Sequence, residues 1–256
     1  MTLTKTRIEW VKNLDGSQGF TLNPIKGLCP VDCKDNQGKS YCYARRMYKR
    51  FGWNPEIRFD RKPLDQLAKI KTPSRIFIGS TMELFGDWIK WWWFKTILDF
   101  CLLCPQHIFI FLTKNPKGLL AWSPFPSNCW VGVSAVDDAH QIEALSWLSL
   151  IETKVKFLSL EPLLGEVILP YGGLKEVISW IIIGQSTPIS ASTTPRIEWI
   201  ADIVEACDKA GIPIFLKNNL YPLLGLGDGK SLLHNNENGT LRQEFPYAQN
   251  TNQENI

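Results

Sequence analysis

An α/β fold built on a parallel sheet, in the form of a full or partial TIM-like (β/α) barrel, is what this sequence predicts, and three observations carry the prediction. First, short apolar runs rich in β-branched and aromatic residues recur along the chain: "RIFIGS" (75–80), "HIFIFLTK" (107–114), "WVGVS" (130–134), "KFLSLEP" (156–162), "WIIIGQS" (180–186) and "PIFLKN" (213–218). Runs that are apolar throughout suit strands covered on both faces. Second, they follow one another at 20 to 35 residues, which leaves room for the crossover helix that each parallel pair needs. Third, the 256-residue chain shows no break in composition before residue 234, so a single domain of barrel size, residues 1–233, accounts for it.

Taken in order, the first strand is expected within "GFTLNPIKG" (19–27), with Pro24 restricting how far it extends. A cysteine-bearing loop follows it, and a helix opens at "YARRMYKRF" close to Cys42. Helices are then expected over 86–104, 138–150 and 196–210, the last with Thr194 as N-cap and Pro195 at the first helical position. "KWWWF" (90–94) falls in the first of these; three consecutive Trp point in different directions, so one or two belong to the core and the remainder offers aromatic faces. The stretch 234–256, rich in Asn and Gln and poor in large apolar residues, reads as a polar tail, loop or disordered.

Composition excludes several classes. With 45% hydrophobic and 21% charged residues the chain is globular in type. No run approaches the roughly 18 apolar residues of a spanning helix, and "MTLTKTRIEWVKNLDG" has no apolar signal core. A cytoplasmic protein with no membrane partner is therefore expected. In that reducing compartment an odd total of seven cysteines argues against a disulfide framework. The formal charge of +3 is small, but Arg45, Arg46, Lys49, Arg50, Arg58, Arg61 and Lys62 face only Glu56 and Asp60 in their stretch. Arg46, Lys49 and Arg50 are spaced to share one helix face, either a solvated face, which is the default for such a run, or one that holds phosphates of a nucleic acid.

The chemistry concentrates in two places. "GLCPVDCKDNQGKSYCYARR" (27–46) holds Cys29, Cys33 and Cys42 as C-x3-C-x8-C. Soft thiolates suit an iron–sulfur cluster or zinc, whereas free cysteines equally serve as small buried hydrophobes. No histidine lies at ligand spacing to complete a zinc site. The same choice arises for Cys101, Cys104 and Cys129, and the apolar helical setting of "DFCLLC" favours packing there. The second place is the carboxyl ends of the strands, where active sites of parallel α/β folds gather. Each run stops in a polar or glycine group: Gly79, Ser80 and Thr81; Thr113, Lys114 and Asn115; Ser134; Ser159 and Glu161; Gly184, Gln185 and Ser186; Lys217 and Asn218. Any one of them is either a pocket residue or simply the place where polarity begins. Glu161 is expected to pair with Lys114 or Lys217 across the mouth, or to accept hydrogen bonds from a ligand.

The cysteine loop resembles the cluster motif of the radical S-adenosylmethionine superfamily, C-x3-C-x-aromatic-C. Cys29 and Cys33 match its first spacing and Tyr41 its aromatic position before Cys42, while "DNQGKS" reads as an insertion in the second spacing. More narrowly, the chain resembles a phage- and prophage-associated radical-SAM-like family of unknown function. "RIEW", "NPIKG", "CYARRM", "IFIGSTMELFGDW", "FLTKNP", "NCWVGVS", "FLSLEPLLG", "WIIIGQS" and "AGIPIFLKN" carry that similarity in order up to about residue 220. Where that family commonly has Gly-Gly-Glu, this chain has Gly184-Gln185-Ser186. The resemblance implies a [4Fe-4S] cluster on Cys29, Cys33 and Cys42, and S-adenosylmethionine held near Tyr41, Gly79, Ser80, Thr81, Lys114, Ser134 and Glu161. It also implies an external electron donor and an enzyme that makes a 5′-deoxyadenosyl radical for a substrate the sequence does not name, nucleic acid or nucleotide among the candidates. The alternative is a non-catalytic nucleic-acid-binding protein with a structural zinc or iron–sulfur site. The oligomeric state is not legible.

Overall fold

The computed structural model of the protein describes residues 3–35, 37–170, 172–225, 232–235 and 239–246. Ten strands occur among them: β1 (Thr4–Lys5), β2 (Phe20–Leu22), β3 (Ile25–Lys26), β4 (Arg58–Phe59), β5 (Arg75–Ile78), β6 (Ile108–Thr113), β7 (Cys129–Ala135), β8 (Val155–Leu160), β9 (Trp180–Ile183) and β10 (Ile214–Leu216). The helices are α1 (Tyr43–Phe51), α2 (Lys62–Leu67), α3 (Trp91–Leu103), α4 (Asp138–Ser149), α5 (Leu174–Val177), α6 (Ile197–Ala210) and α7 (Tyr221–Leu224). The fold is mixed α/β. Its main sheet has eight strands in the order β1-β2-β5-β6-β7-β8-β9-β10, all parallel from β2 onward, with β1 antiparallel at the edge. Among the described residues no ladder joins β10 back to β1 or β2.

Alternation along the strands sorts the sheet into two faces. Ile76 and Ile78, Phe109 and Phe111, Val131 and Val133, Leu158 and Leu160, Ile181 and Ile183 point into the larger core, together with the buried sides of α3, α4 and α6. Phe77, Ile110, Trp130, Phe157, Trp180, Ile182 and Phe215 point the other way, into a smaller aromatic core completed by Trp10 and Val11. Each of these side chains contributes on the order of 2 kcal/mol by leaving water. Covering both faces is why the strands read as unbroken apolar runs. Within this smaller core Gly132 leaves room for the Phe157 ring, which an added Cβ would meet at 2.3 Å.

Some boundaries differ from the sequence reading. Helix α3 starts at Trp91, not 86, because Gly86–Lys90 is held in turns around the Trp88 ring, whose Nε1 donates to the Glu83 carbonyl at 3.0 Å. Helix α6 begins at Ile197 with Arg196 as its N-cap. Thr194 does not cap it, since its hydroxyl is turned back to the Ser190 carbonyl at 2.9 Å. In "KWWWF" Trp93 and Phe94 are buried, while Trp91 and Trp92 are 66% and 51% exposed.

Within the stretch expected as a polar tail, residues 239–246 are packed against the sheet. Phe215 bridges Gln243, the Glu244 amide donates to Ile214 O at 2.9 Å, and Phe245 lies 5.3 Å from the Phe215 ring and 5.6 Å from Trp180. Leu241 is buried as well, and Arg242 pairs with Asp208. Residues 236–238 and 247–256 of that stretch lie outside the described residues. No helix of the described residues is long and apolar enough to cross a membrane.

Candidate functional site

The parity that builds the small aromatic core continues past the strand ends. Counting in twos from Phe77, Ile110, Trp130, Phe157, Ile182 and Phe215 brings Gly79, Lys114, Ser134, Ser159 with Glu161, Gly184 and Lys217 onto one face. A cavity of about 540 Å³ is lined by all of these except Gly184, and also by Cys29, Cys33, Tyr41, Cys42, Ser80 and Thr81. Every residue expected to hold metal or cofactor thus lines one cavity. Its size falls within the range of small-molecule sites.

The cysteine loop and α1 form one excursion whose ends are tied together. Strand β3 before it pairs antiparallel with β4 after it, Lys26 forms an ion pair with Asp60, and the Gly27 amide donates to the Tyr48 hydroxyl at 2.8 Å. Inside the excursion the insertion folds on itself. Lys34 bridges Ser40, the Asp35 carboxylate accepts from the amides of Gln37 and Lys39 at 3.0 and 2.9 Å, and Gly38 supplies the left-handed turn residue with φ of +76°. The Tyr41 amide then donates to the Cys33 carbonyl at 3.0 Å. The polar insertion is looped out, and Cys42 returns next to Cys33 despite the long spacing.

Cys42 is the residue preceding α1. Its thiol is drawn down to about 6 by a hydrogen bond from the Cys33 thiol, with burial opposing and the Arg45 and Ala44 amides at the helix start assisting. The same bond, followed by burial, pushes the Cys33 thiol up. Burial likewise raises Cys29, whose Sγ accepts from the Glu83 amide at 3.4 Å. Among the described residues no group of three His, Cys, Asp or Glu side chains converges to hold a metal ion.

Lys114 is one of three cations on the cavity, with Arg46 and Lys217. Its Nζ donates to Ser134 Oγ at 2.8 Å and sits 5.7 Å from the centre of the Tyr41 ring. Burial lowers its pKa, with Cys33, Glu161 and Glu83 opposing. Burial likewise raises Tyr41. Of the two partners expected for Glu161, the ion pair is with Lys217. It passes over Gly184, where an added Cβ would come within 2.9 Å of Lys217. Gly79 has φ of +80°, and a Cβ there would meet Leu84 at 2.5 Å, so packing alone demands glycine.

Several residues that hold the site together escaped sequence reasoning. Asn23 accepts from the Thr81 amide and hydroxyl, both at 3.3 Å, and donates to Ser80 Oγ at 3.0 Å. The buried Glu83 carboxylate accepts from Thr113 Oγ1 at 2.7 Å and from the Lys114 amide at 2.8 Å. Arg45 donates to the carbonyls of Cys29 and Pro30 at 2.9 and 3.2 Å. The signal for Asn23 and Glu83 was their place within "NPIKG" and "STMELFGDW", beside strand ends. Arg46 reaches across the cavity rim to the Thr187 carbonyl, whereas Lys49 and Arg50 stand exposed in solvent. Cys101, Cys104 and Cys129 are buried in the larger core, away from the cavity lining.

Comparison with curated proteins and with solved structures gives no match. A scan of family models gives one described as "Protein of unknown function (DUF5131)", which aligns with residues 5–221 and so takes in the cysteine loop and every strand end around the cavity. The chain therefore belongs to the DUF5131 family, whose function is not known.

Proposed function

We propose that the protein is a radical S-adenosylmethionine-type enzyme on a partial barrel, with a [4Fe-4S] cluster held by Cys29, Cys33 and Cys42. The observation that carries this reading is the self-folded insertion, which returns Cys42 to Cys33 beside Cys29 at the mouth of a cavity lined by Lys114, Ser134 and Glu161. The donor set suits the group: three thiols, one already drawn toward thiolate, with an amide N–H aimed at the sulfur of Cys29. A cubane also asks for less convergence than a single ion does, because each thiolate takes a different iron. Bound there, the cluster would supply the electron that cleaves S-adenosylmethionine to methionine and a 5′-deoxyadenosyl radical.

The chain's own contribution is placement. Arg45 fixes the carbonyls of Cys29 and Pro30, and Asn23 fixes the turn Gly79-Ser80-Thr81 opposite them. Lys114 offers a half-buried ammonium to an anionic group such as a carboxylate, and the Glu161–Lys217 pair offers a ribose both an acceptor and a donor. The aromatic core beneath excludes water from the floor. An external electron donor completes the scheme.

Iron and sulfide analysis of anaerobically reconstituted protein, with electron paramagnetic resonance before and after adding S-adenosylmethionine, tests the reading. A cubane signal that shifts with S-adenosylmethionine, and 5′-deoxyadenosine released under reductant, are expected. Cys42→Ala should lose the iron and the product. Colourless protein with stoichiometric zinc would overturn the reading and favour a structural metal site.

A further inference from the structure

We infer that α1 is the docking surface for single-stranded nucleic acid, and that its exposed face leads the strand to the cavity mouth; this deepens the reading above by naming the class of substrate. The helix sequence "YARRMYKRF" contains no acidic residue. Tyr43, Arg46 and Arg50 stand at i, i+3 and i+7, one face of a helix, with Lys49 beside Arg46. Among the described residues none of Arg46, Lys49 and Arg50 has a carboxylate partner, whereas Arg45, whose side chain is turned into the loop, pairs with Asp32 at 3.4 Å.

Aromatic rings lie among these charges. Tyr43 is 46% exposed and lines the cavity, and Phe51 at the far end of the helix is 53% exposed. Phe51 is stacked on Trp53 at 5.4 Å with 19° between the planes, and the Arg50 guanidinium is 5.3 Å from the centre of its ring. A row of cations alone would fit any polyanion. Cations alternating with exposed rings fit a polyanion whose bases are free to stack, which a duplex or a lipid surface does not offer. The row runs straight to the cavity, since Arg46 and Tyr43 both line it.

The test is fluorescence anisotropy of a labelled twelve-nucleotide oligo(dT) with the full chain as purified, before any iron is introduced, over a series of salt concentrations. Three phosphate contacts predict a slope of log affinity against log salt near about −2, and replacing Lys49 and Arg50 by Gln reduces its magnitude by about 1.4. Phe51→Ala, a substitution at an exposed position, weakens oligo(dT) binding by about 5- to 150-fold with the slope unchanged. It leaves binding of inorganic polyphosphate, which has no bases, as it was. No binding at low salt, equal affinity of Phe51→Ala and the parent for oligo(dT), or preference for vesicles of anionic phospholipid over the oligonucleotide would each overturn the inference. Because no cluster takes part, failure here leaves the radical-enzyme reading standing. An iron-free outcome in the cluster experiment leaves the surface standing in turn.

Discussion

At Gly184 an added Cβ would come within 2.9 Å of Lys217 and 3.3 Å of Glu161, the two charges that pair over it. Gly184→Ala should therefore separate the pair and lower the stability by about 1–2 kcal/mol, the ordinary cost of overpacking; a melting temperature equal to the parent's would show that the side chains yield freely. His107 makes a pH prediction. It is buried, with Nε2 3.1 Å from the Ile70 carbonyl and Nδ1 without a partner, and burial lowers its pKa below the usual 6.5. The unfolded chain then binds the proton more readily than the folded one. Stability contributed by neutral His107 is complete above about pH 6.5 and falls as the pH drops through and below it. His107→Gln keeps a donor for Ile70 and should lose less stability between pH 6.5 and 5 in urea titrations than the parent does. Identical slopes would assign the acid sensitivity elsewhere.

The element whose behaviour departs furthest from its sequence is the cysteine loop. Its spacing reads as a weak match to a cluster motif, yet the six-residue insertion is closed by the Lys34–Ser40 bridge and by the Tyr41-to-Cys33 hydrogen bond. Deleting residues 35–39 should therefore leave the iron content after reconstitution unchanged, with a closure-entropy difference below about 1 kcal/mol. Loss of iron in that deletion would mean that the insertion itself shapes the proposed metal site. Helix α6 shows the opposite case, a plausible Thr-Pro start that the hydrogen bond from Thr194 to Ser190 diverts. Local signals name a candidate cap; the competing acceptor decides.

For the whole molecule, the segment 239–246 does more than its composition implied. Phe245 covers Trp180 and Phe215 at the edge of the small aromatic core, its ring is 4.2 Å from the Arg75 guanidinium, and Trp180 Nε1 donates to the Glu244 carbonyl at 2.8 Å. Arg75 is buried and its guanidinium also donates to the Lys12 carbonyl at 2.7 Å, so two distant stretches of chain meet on it. Phe245 is half-buried, so Phe245→Ala should cost about 1.5–3 kcal/mol in denaturant unfolding. A loss under 1 kcal/mol would show that the segment merely rests on the core.

The sequence by itself determined the parallel sheet, the positions of β2 and of β5 to β10, and the polar groups at their ends, because burial on both faces writes unbroken apolar runs and strand parity fixes which end residues share a face. It did not announce the two-residue edge strand β1. It also singled out Cys29, Cys33 and Cys42. Only the tertiary structure decided that these thiols and strand ends line one cavity, that Lys217 and not Lys114 takes Glu161, and that Trp93 is buried while Trp91 and Trp92 face water. Asn23, Glu83 and Arg45 were illegible for the same reason. Each acts on groups brought near by the fold, often backbone amides and carbonyls that every residue carries, so no residue type announces the partner.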